Sequence, residues 1–209
     1  MAGGIRRNSL EGQIETTRAL LLSMRDEDLR VRSELEASGN LWDAYHVRME
    51  EVHIRNAAQL ADILDRHGWP NAGRFGEDAR DAAWMILMHS ISLPDLMRRG
   101  RDLLAKAVER TAEPPGLLAR IEDRIRTLEG LPQRYGTILD WDDEQQLSPL
   151  PIEEPGTVDE RRTAVGLAPL AEHVDRCRME ATAAGSRPPA DPPAKERDYQ
   201  IWLRRTGWR

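Results

Sequence analysis

Apolar residues recur at intervals of three and four along most of this chain, and no other feature limits the fold as much. One such face belongs to the second long helix: Tyr45, Met49, Val52, Leu60 and Ile63. The alternating pattern of strands is nearly absent. We therefore predict an all-α helical bundle of about five to seven helices, whose short connections favour antiparallel neighbours.

Capping residues and breakers set the expected helix ends. Asn8 can cap a first helix, and the acidic run at residues 25–28 offers a second start. The "HGWP" turn ends the second helix, because glycine and proline both terminate helices. A strongly apolar helix is expected from Glu77 to Ser90.

The second half of the chain changes in character. Residues 131–156 are rich in proline and acid, which predicts an ordered but irregular loop. We expect a helical domain at 1–184, a proline-rich linker at 185–195 and an amphipathic basic tail at 196–209. The aromatic and arginine residues of the tail suit either a protein partner or docking on the chain's own body.

Composition bears on whether this protein binds nucleic acid, crosses a membrane or is exported from the cytoplasm. Charged residues make up 32% of the chain, and the net charge of −6 argues against nucleic-acid binding. No segment has the roughly 20 apolar residues of a membrane span, and the N-terminus lacks the apolar core of a signal peptide. The single cysteine, Cys177, allows no intramolecular disulfide. These features favour a cytoplasmic protein.

The first candidate for chemistry is His89, near the end of the apolar run "AWMILMHS". A helix that is apolar on nearly every side is buried, and a buried imidazole needs a polar partner. His89 is then either a structural histidine or an acid–base group in a pocket with Trp84. We expect the "QRYGT" loop at residues 133–137 to supply the partner.

The second candidate is a metal site on the second helix. Asp43, His46, Glu50 and His53 follow one another at spacings of three, four and three, which places them on one side of a helix. The E-x-x-H spacing also occurs in metal-binding bundles. We therefore consider His46, Glu50 and His53 as metal ligands, or His46 and His53 together with His89.

The third candidate is the "QRYGT" loop with the helix before it. Gln133, Tyr135 and Thr137 either close the end of the bundle or line the pocket of His89, with Asp123 and Tyr135 assisting catalysis. Arg161 and Arg162 either clamp an anionic ligand or form surface ion pairs.

Two functions remain open at this point. The chain has no phosphate-binding glycine loop, dinucleotide fingerprint, "GxSxG" or "HExxH" motif, so its sequence assigns no cofactor. One hypothesis is a protein that binds a small molecule or a protein partner near His89. The other is an enzyme of hydrolysis or proton transfer that uses His89 as its acid–base group, with or without a metal.

Four blocks of sequence, in order, carry a family resemblance: "RDEDLRVRSEL", "HGWPNAGRFGEDARDAAWMILMHSISLPDLMRR", "LLARIEDRIRTLEGLPQRYGT" and "PIEEPGTVDERRTAVGLAPLAEHV". Over most of residues 15–175 the chain resembles a bacterial family known as domain of unknown function 6624. The resemblance implies an all-helical domain with no assigned activity. The positions that it singles out are Gly68, Trp69, Pro70, His89, Asp123, Arg124, Gln133, Tyr135, Gly136, Thr137, Asp159, Arg161 and Arg162. The chain departs from the family pattern at Met88 and Ile138, where the pattern has glutamine.

Overall fold

The computed structural model describes residues 2–39, 45–111 and 113–209, and 70% of it is helical. Across these residues nine α-helices follow one another: α1 (Ala2–Ala37), α2 (Val47–His67), α3 (Ala72–Phe75), α4 (Glu77–His89), α5 (Pro94–Thr111), α6 (Pro115–Leu128), α7 (Val158–Ala164), α8 (Leu170–Ala183) and α9 (Pro192–Thr206). Two strands, β1 (Leu139–Trp141) and β2 (Leu147–Pro149), and a 3-10 turn at Pro155–Thr157 complete the order. The prediction of an all-α fold is confirmed.

The chain forms two compact units. Unit 1 comprises Met1–Val31 and Arg48–Glu113, and unit 2 comprises Arg32–Val47 and Pro114–Arg209. None of the helices within the described ranges combines the length and the apolar character needed to cross a bilayer.

Unit 1 is built on an antiparallel pair, α1 and α2. Asp28 meets His53, and Asn56 donates a hydrogen bond to the Met24 carbonyl, so residue numbers rise along α1 as they fall along α2. The core of this unit is apolar and almost fully buried: Leu21, Met24, Leu60, Ile63, Ile86, Leu87, Met97 and Leu104. Burying each such side chain contributes about 1.5–3 kcal/mol. On α2, the predicted buried positions Met49, Val52, Leu60 and Ile63 are confirmed.

Helix α1 is longer than the sequence indicated. It runs without a break from Ala2 to Ala37, whereas we expected a start near Asn8 and a restart at residues 25–28. The side chain of Asn8 lies outside the described residues. The acidic residues at 26 and 27 pair with Arg25 and Arg30 on the surface, so they do not cap a new helix.

Unit 2 contains α6, the hairpin of β1 and β2, and the three helices α7, α8 and α9. Ala119, Ile121, Ile125 and Leu128 form the buried face of α6. Strands β1 and β2 pair antiparallel, with Leu139 opposite Pro149. The strands lie within the segment that we expected to be irregular throughout, and three residues per strand are too few to give an alternating pattern.

The C-terminal tail is helical and packs within unit 2. Helix α9 begins at Pro192, inside the stretch expected to be a linker, and the side chain of Asp191 caps it. Leu203 is fully buried, and Trp202 meets Tyr45 edge to face at 6.0 Å between ring centroids. The domain limits at 184/185 and 195/196 remain predictions.

Candidate metal centre and the loop network

Three potential metal ligands meet inside unit 1. Asp28 comes from the C-terminal half of α1, His53 from α2, and His89 is the last residue of α4. His89 Nδ1 lies 2.9 Å from Asp28 Oδ2, and His53 Nε2 lies 3.2 Å from the same oxygen. The two imidazole rings are 4.7 Å apart between centroids. One carboxylate oxygen is thus the meeting point of two rings from different helices.

The carboxylate of Asp28 is buried, and its two oxygens differ in whether they have a hydrogen-bond partner among the described residues. Its side chain is 1% exposed, and its second oxygen, Oδ1, is buried with no hydrogen-bond partner among the described residues. Burial alone would raise the pKa of Asp28, but the neighbouring His53 and His89 side chains outweigh it and hold the pKa well below its ordinary value. Asp28 is therefore a carboxylate across the physiological pH range.

The surroundings hold these three side chains in place. Asn56, one turn beyond His53, donates to the Met24 carbonyl at 3.1 Å and ties α2 to α1. The side chain of His53 is 8% exposed and that of His89 is 30% exposed. The cluster is therefore enclosed on the sides of Asp28 and His53 and partly open at His89.

The spacing of the three groups suits a metal ion. Two ligand atoms that are each about 2.1 Å from a metal lie about 3.0 Å apart at a right angle and about 3.4 Å apart at a tetrahedral angle. The two contacts to Asp28 Oδ2 measure 2.9 and 3.2 Å, and one ligand atom from each residue lies within 4.8 Å of the others. Two histidines and one carboxylate form a ligand set used by zinc and non-haem iron.

This cluster differs from the ligands that we expected on α2. It includes His53 but neither His46 nor Glu50. Glu50 accepts a hydrogen bond from Ser92 at 3.2 Å. Asp43 lies outside the described residues. The spacing along α2 thus predicted one ligand of the cluster, His53, and the other two come from α1 and α4.

The partner of His89 also differs from our expectation. The polar group that meets His89 is the Asp28 carboxylate, whereas we expected the "QRYGT" loop to supply it. Trp84, on the same helix, is half-buried.

In unit 2, Asp123 holds the "QRYGT" loop in its shape. Its Oδ1 accepts from the backbone N–H groups of Arg134 and Tyr135 at 2.7 and 3.1 Å. Its Oδ2 accepts from the N–H and the hydroxyl of Thr137, both at 2.9 Å. Both oxygens of this fully buried carboxylate are therefore occupied, and Asp123 positions the loop.

Gln133 closes the same loop from within. Its amide nitrogen donates to the carbonyls of Ile138 and Leu150, and its amide oxygen accepts from the Ile138 N–H at 2.6 Å. Its side chain is completely buried, and both its amide nitrogen and its amide oxygen form hydrogen bonds with backbone groups. The polar atoms of both side chains have partners within this region, and the ligand-binding roles that we expected for Gln133 and Thr137 remain predictions.

The two candidate arginines also bind this part of the backbone. Arg161 donates to the carbonyls of Arg134, Glu153 and Glu154 and to the Thr157 hydroxyl. Arg162, which is 1% exposed, donates to the carbonyls of Ala168 and Tyr135. These two guanidinium groups hold the loop by hydrogen bonds to its backbone, whereas we considered them as ligands for an anion or as members of surface ion pairs. Tyr135 is half-buried, and burial followed by the charge of Glu122 raises the pKa of its hydroxyl.

We expect Gly136→Ala to destabilise the loop. Gly136 has φ +66°, and an added Cβ would lie 2.7 Å from Ile152 Cδ1 and 2.9 Å from Leu170 Cδ1. The variant should lose about 1–2 kcal/mol of unfolding free energy in urea titrations, mainly from backbone strain and to a smaller extent from displacing these two terminal methyl groups.

Gly166→Ala is the matched control for Gly136→Ala. Gly166 has φ +71°, but a Cβ added there would meet nothing within 4 Å, so the cost should be only the strain of about 1 kcal/mol. Equal losses in the two variants would show that the close contact at Gly136 contributes nothing.

Asp28 is the functional candidate that the sequence analysis missed. Thr17, Leu21, Met24, Asp28 and Val31 are all buried and follow one another at spacings of four, three, four and three. A carboxylate in an otherwise apolar stripe was therefore a signal available in the sequence. The acidic run "RDED" masked it, because such runs resemble helix caps.

The comparison with known proteins gives one match. A model of the family of unknown function DUF6624 matches residues 16–185. No curated protein and no solved structure matches the chain. The matched span includes Asp28, His53, His89 and the "QRYGT" loop, and it ends before α9. Because the match covers most of the sequence, this chain belongs to the family of unknown function DUF6624.

Proposed function

We propose that the protein is a metal-dependent enzyme that hydrolyses a small molecule at Asp28, His53 and His89. The observation that carries this proposal is the buried Asp28 carboxylate. Two imidazole nitrogens approach its Oδ2, while Oδ1 has no hydrogen-bond partner among the described residues. A divalent ion between these groups would compensate for the burial of the carboxylate and use the remaining oxygen.

The number of ligands supports catalysis over a structural role. Structural zinc sites use four protein ligands, whereas catalytic zinc sites use three and leave one position for water or substrate. The cluster offers three ligands, and the 30% exposure of the His89 side chain gives an approach from solvent. Bound at such a site, a zinc ion supplies an activated water for hydrolysis.

Metal binding can be tested directly on the full chain. We expect the purified protein, stripped with a chelator and titrated with Zn²⁺ in a calorimeter, to bind about one ion per chain. Asp28→Asn, His53→Gln and His89→Gln should each weaken binding by at least about 100-fold, because each removes a direct ligand. Fe²⁺, titrated without oxygen, tests the other metal that this ligand set accepts.

His46→Gln and Glu50→Gln are the control variants for the metal titration. Both residues were candidate ligands from the sequence, and neither belongs to the cluster of Asp28, His53 and His89. They should bind Zn²⁺ as the unchanged protein does. The proposal fails if the unchanged protein binds no ion, or if His46→Gln loses the ion while His89→Gln keeps it.

A second candidate function needs no metal. Asp28 Oδ2 accepts a hydrogen bond from His89 Nδ1 at 2.9 Å, which is the arrangement in which a carboxylate orients a histidine and leaves Nε2 to act as base. In this case His89 is the acid–base group and His53 is dispensable. Activity that survives both a chelator and His53→Gln but not His89→Gln would favour this dyad over the metal centre.

A further inference from the structure

Glu50 and Ser92 meet beside the candidate metal centre of unit 1. Glu50 lies one turn before His53 on α2, and Ser92 follows His89 by three residues, in the turn between α4 and α5. The Ser92 hydroxyl donates a hydrogen bond to Glu50 Oε1 at 3.2 Å. This contact joins the helix of one candidate ligand to the segment that follows another, and it brings a further carboxylate next to the cluster.

The position of Glu50 on α2 limits its distance from the cluster. Side chains three residues apart on a helix are neighbours, with about 5–6 Å between their Cβ atoms, so Glu50 is adjacent to His53. Glu50 does not belong to the group of Asp28, His53 and His89, whose ligand atoms lie within 4.8 Å of one another. A carboxylate in this position is suited to contact a water molecule on a bound ion without being a ligand itself.

Glu50 and Ser92 lie between the buried part of the cluster and solvent. Both are half-buried, whereas the side chains of Asp28 and His53 are 1% and 8% exposed. The side chain of His89 is 30% exposed. Water or a substrate therefore approaches the cluster on the side of His89, where the turn that carries Ser92 begins.

Hydrogen bonds fix the shape of the turn that carries Ser92. The hydroxyl of the buried Ser90 donates to the Ile86 carbonyl at 2.7 Å, and the N–H of Leu93 donates to the Ser90 carbonyl at 3.0 Å. Ser92 thus holds Glu50 from a rigid support. A catalytic group that is held in position before the substrate binds is more effective than a mobile one.

We propose that Glu50 is the general base of the hydrolysis at this centre and that Ser92 positions it. This inference rests on the metal-dependent hydrolase proposed above. Glu50 takes a proton from the water at the open position of the ion, and the hydroxide oxygen forms a bond to the acyl carbon or phosphorus of the substrate. The bond to the leaving group breaks, and Glu50 returns the proton to the leaving group.

Azide binding to the Co²⁺-loaded full chain tests the placement of Glu50 without a substrate. Azide takes the open position on the ion, and the visible absorption of Co²⁺ reports its binding. A carboxylate beside that position repels the anion, so Glu50→Gln should bind azide at least about tenfold more tightly than the unchanged protein. Glutamine keeps an oxygen that can accept from Ser92, so this variant removes the charge and retains the contact.

Glu51→Gln is the matched control for Glu50→Gln. Glu51 is exposed, and its loss changes the net charge by the same amount. This variant should bind azide as the unchanged protein does. If Co²⁺ binds but Glu50→Gln does not change the affinity for azide, the placement of Glu50 is wrong and the metal centre stands. A chain that binds no Co²⁺ contradicts the metal centre and, with it, the role of Glu50.

Hydrolysis of p-nitrophenyl acetate and of bis(p-nitrophenyl) phosphate by the Zn²⁺-loaded full chain tests the proton transfer. Glu50→Gln should lower kcat at least about 100-fold with little change in KM, because a general base acts in the transition state. Glu51→Gln should keep the unchanged rate. Turnover that Glu50→Gln retains overturns the role of Glu50 alone. Turnover of neither ester by the unchanged protein contradicts the hydrolase itself and, with it, the general base.

Discussion

Asp123→Ala is expected to lower the free energy of unfolding by about 4 kcal/mol, one of the two largest effects that we predict for a single substitution here. The Asp123 carboxylate accepts four hydrogen bonds from the "QRYGT" loop, at 2.7 to 3.1 Å. Alanine leaves three backbone N–H groups of that loop without their acceptor. Urea denaturation, followed by circular dichroism and by tryptophan fluorescence, measures the loss.

Thr137→Val is the graded control for Asp123→Ala. It removes one of the four donors, the hydroxyl at 2.9 Å, and leaves the backbone contacts intact. The expected loss is about 1 kcal/mol. If Asp123→Ala costs no more than Thr137→Val, the carboxylate does not organise the loop, and a catalytic role for Asp123 would again need to be considered.

The second large effect concerns Asp28 in the protein kept free of metal by a chelator. Asp28→Ala should cost about 2–3 kcal/mol near neutral pH, because one buried and one half-buried imidazole lose the carboxylate that lies 3.2 and 2.9 Å from them. Asp26→Ala is the control, since its side chain is 63% exposed and pairs with neighbouring Arg25. That variant should change the stability by less than about 0.5 kcal/mol.

The pH dependence of the Asp28 contribution has a definite sign. The pKa of Asp28 in the folded chain lies below its ordinary value. The stabilisation is therefore complete above the unfolded pKa of about 3.9, and it is lost as the pH falls through the lower, folded pKa. The difference between the unchanged protein and Asp28→Ala should shrink as the pH falls below about 4. A difference that grows as the pH falls below about 4 contradicts the assignment.

The parts of the fold that the sequence predicted are those with strong local signals. The apolar face of α2 and the limits of α4 follow from spacing and breakers within about 20 residues. The buried run of α4 correctly indicated that His89 needs a polar partner. The identity of that partner depends on how α1 packs against α4, across 61 residues of sequence, and no local pattern encodes it.

The roles of polar residues were harder to predict than the helices. The sequence indicated Asp123 as a candidate functional carboxylate. Its hydrogen-bond partners lie 11 to 14 residues downstream, in a loop whose backbone conformation cannot be predicted from hydrophobic periodicity. Asp28 was hidden for the opposite reason, because its neighbours in sequence resemble a helix cap. In both cases the residue type was informative, and the missing knowledge was which backbone or imidazole group would face it.

The end of α6 has a consequence for the order in which this chain folds. Arg209 donates hydrogen bonds to the carbonyls of Leu128 and Thr127, the last two residues of α6, and so completes that helix from a position 81 residues away from Leu128. Closing a loop of this length costs conformational entropy before the contact contributes any stabilisation. We therefore expect the final turn of α6 to acquire these two bonds late in folding and to fray when α9 detaches.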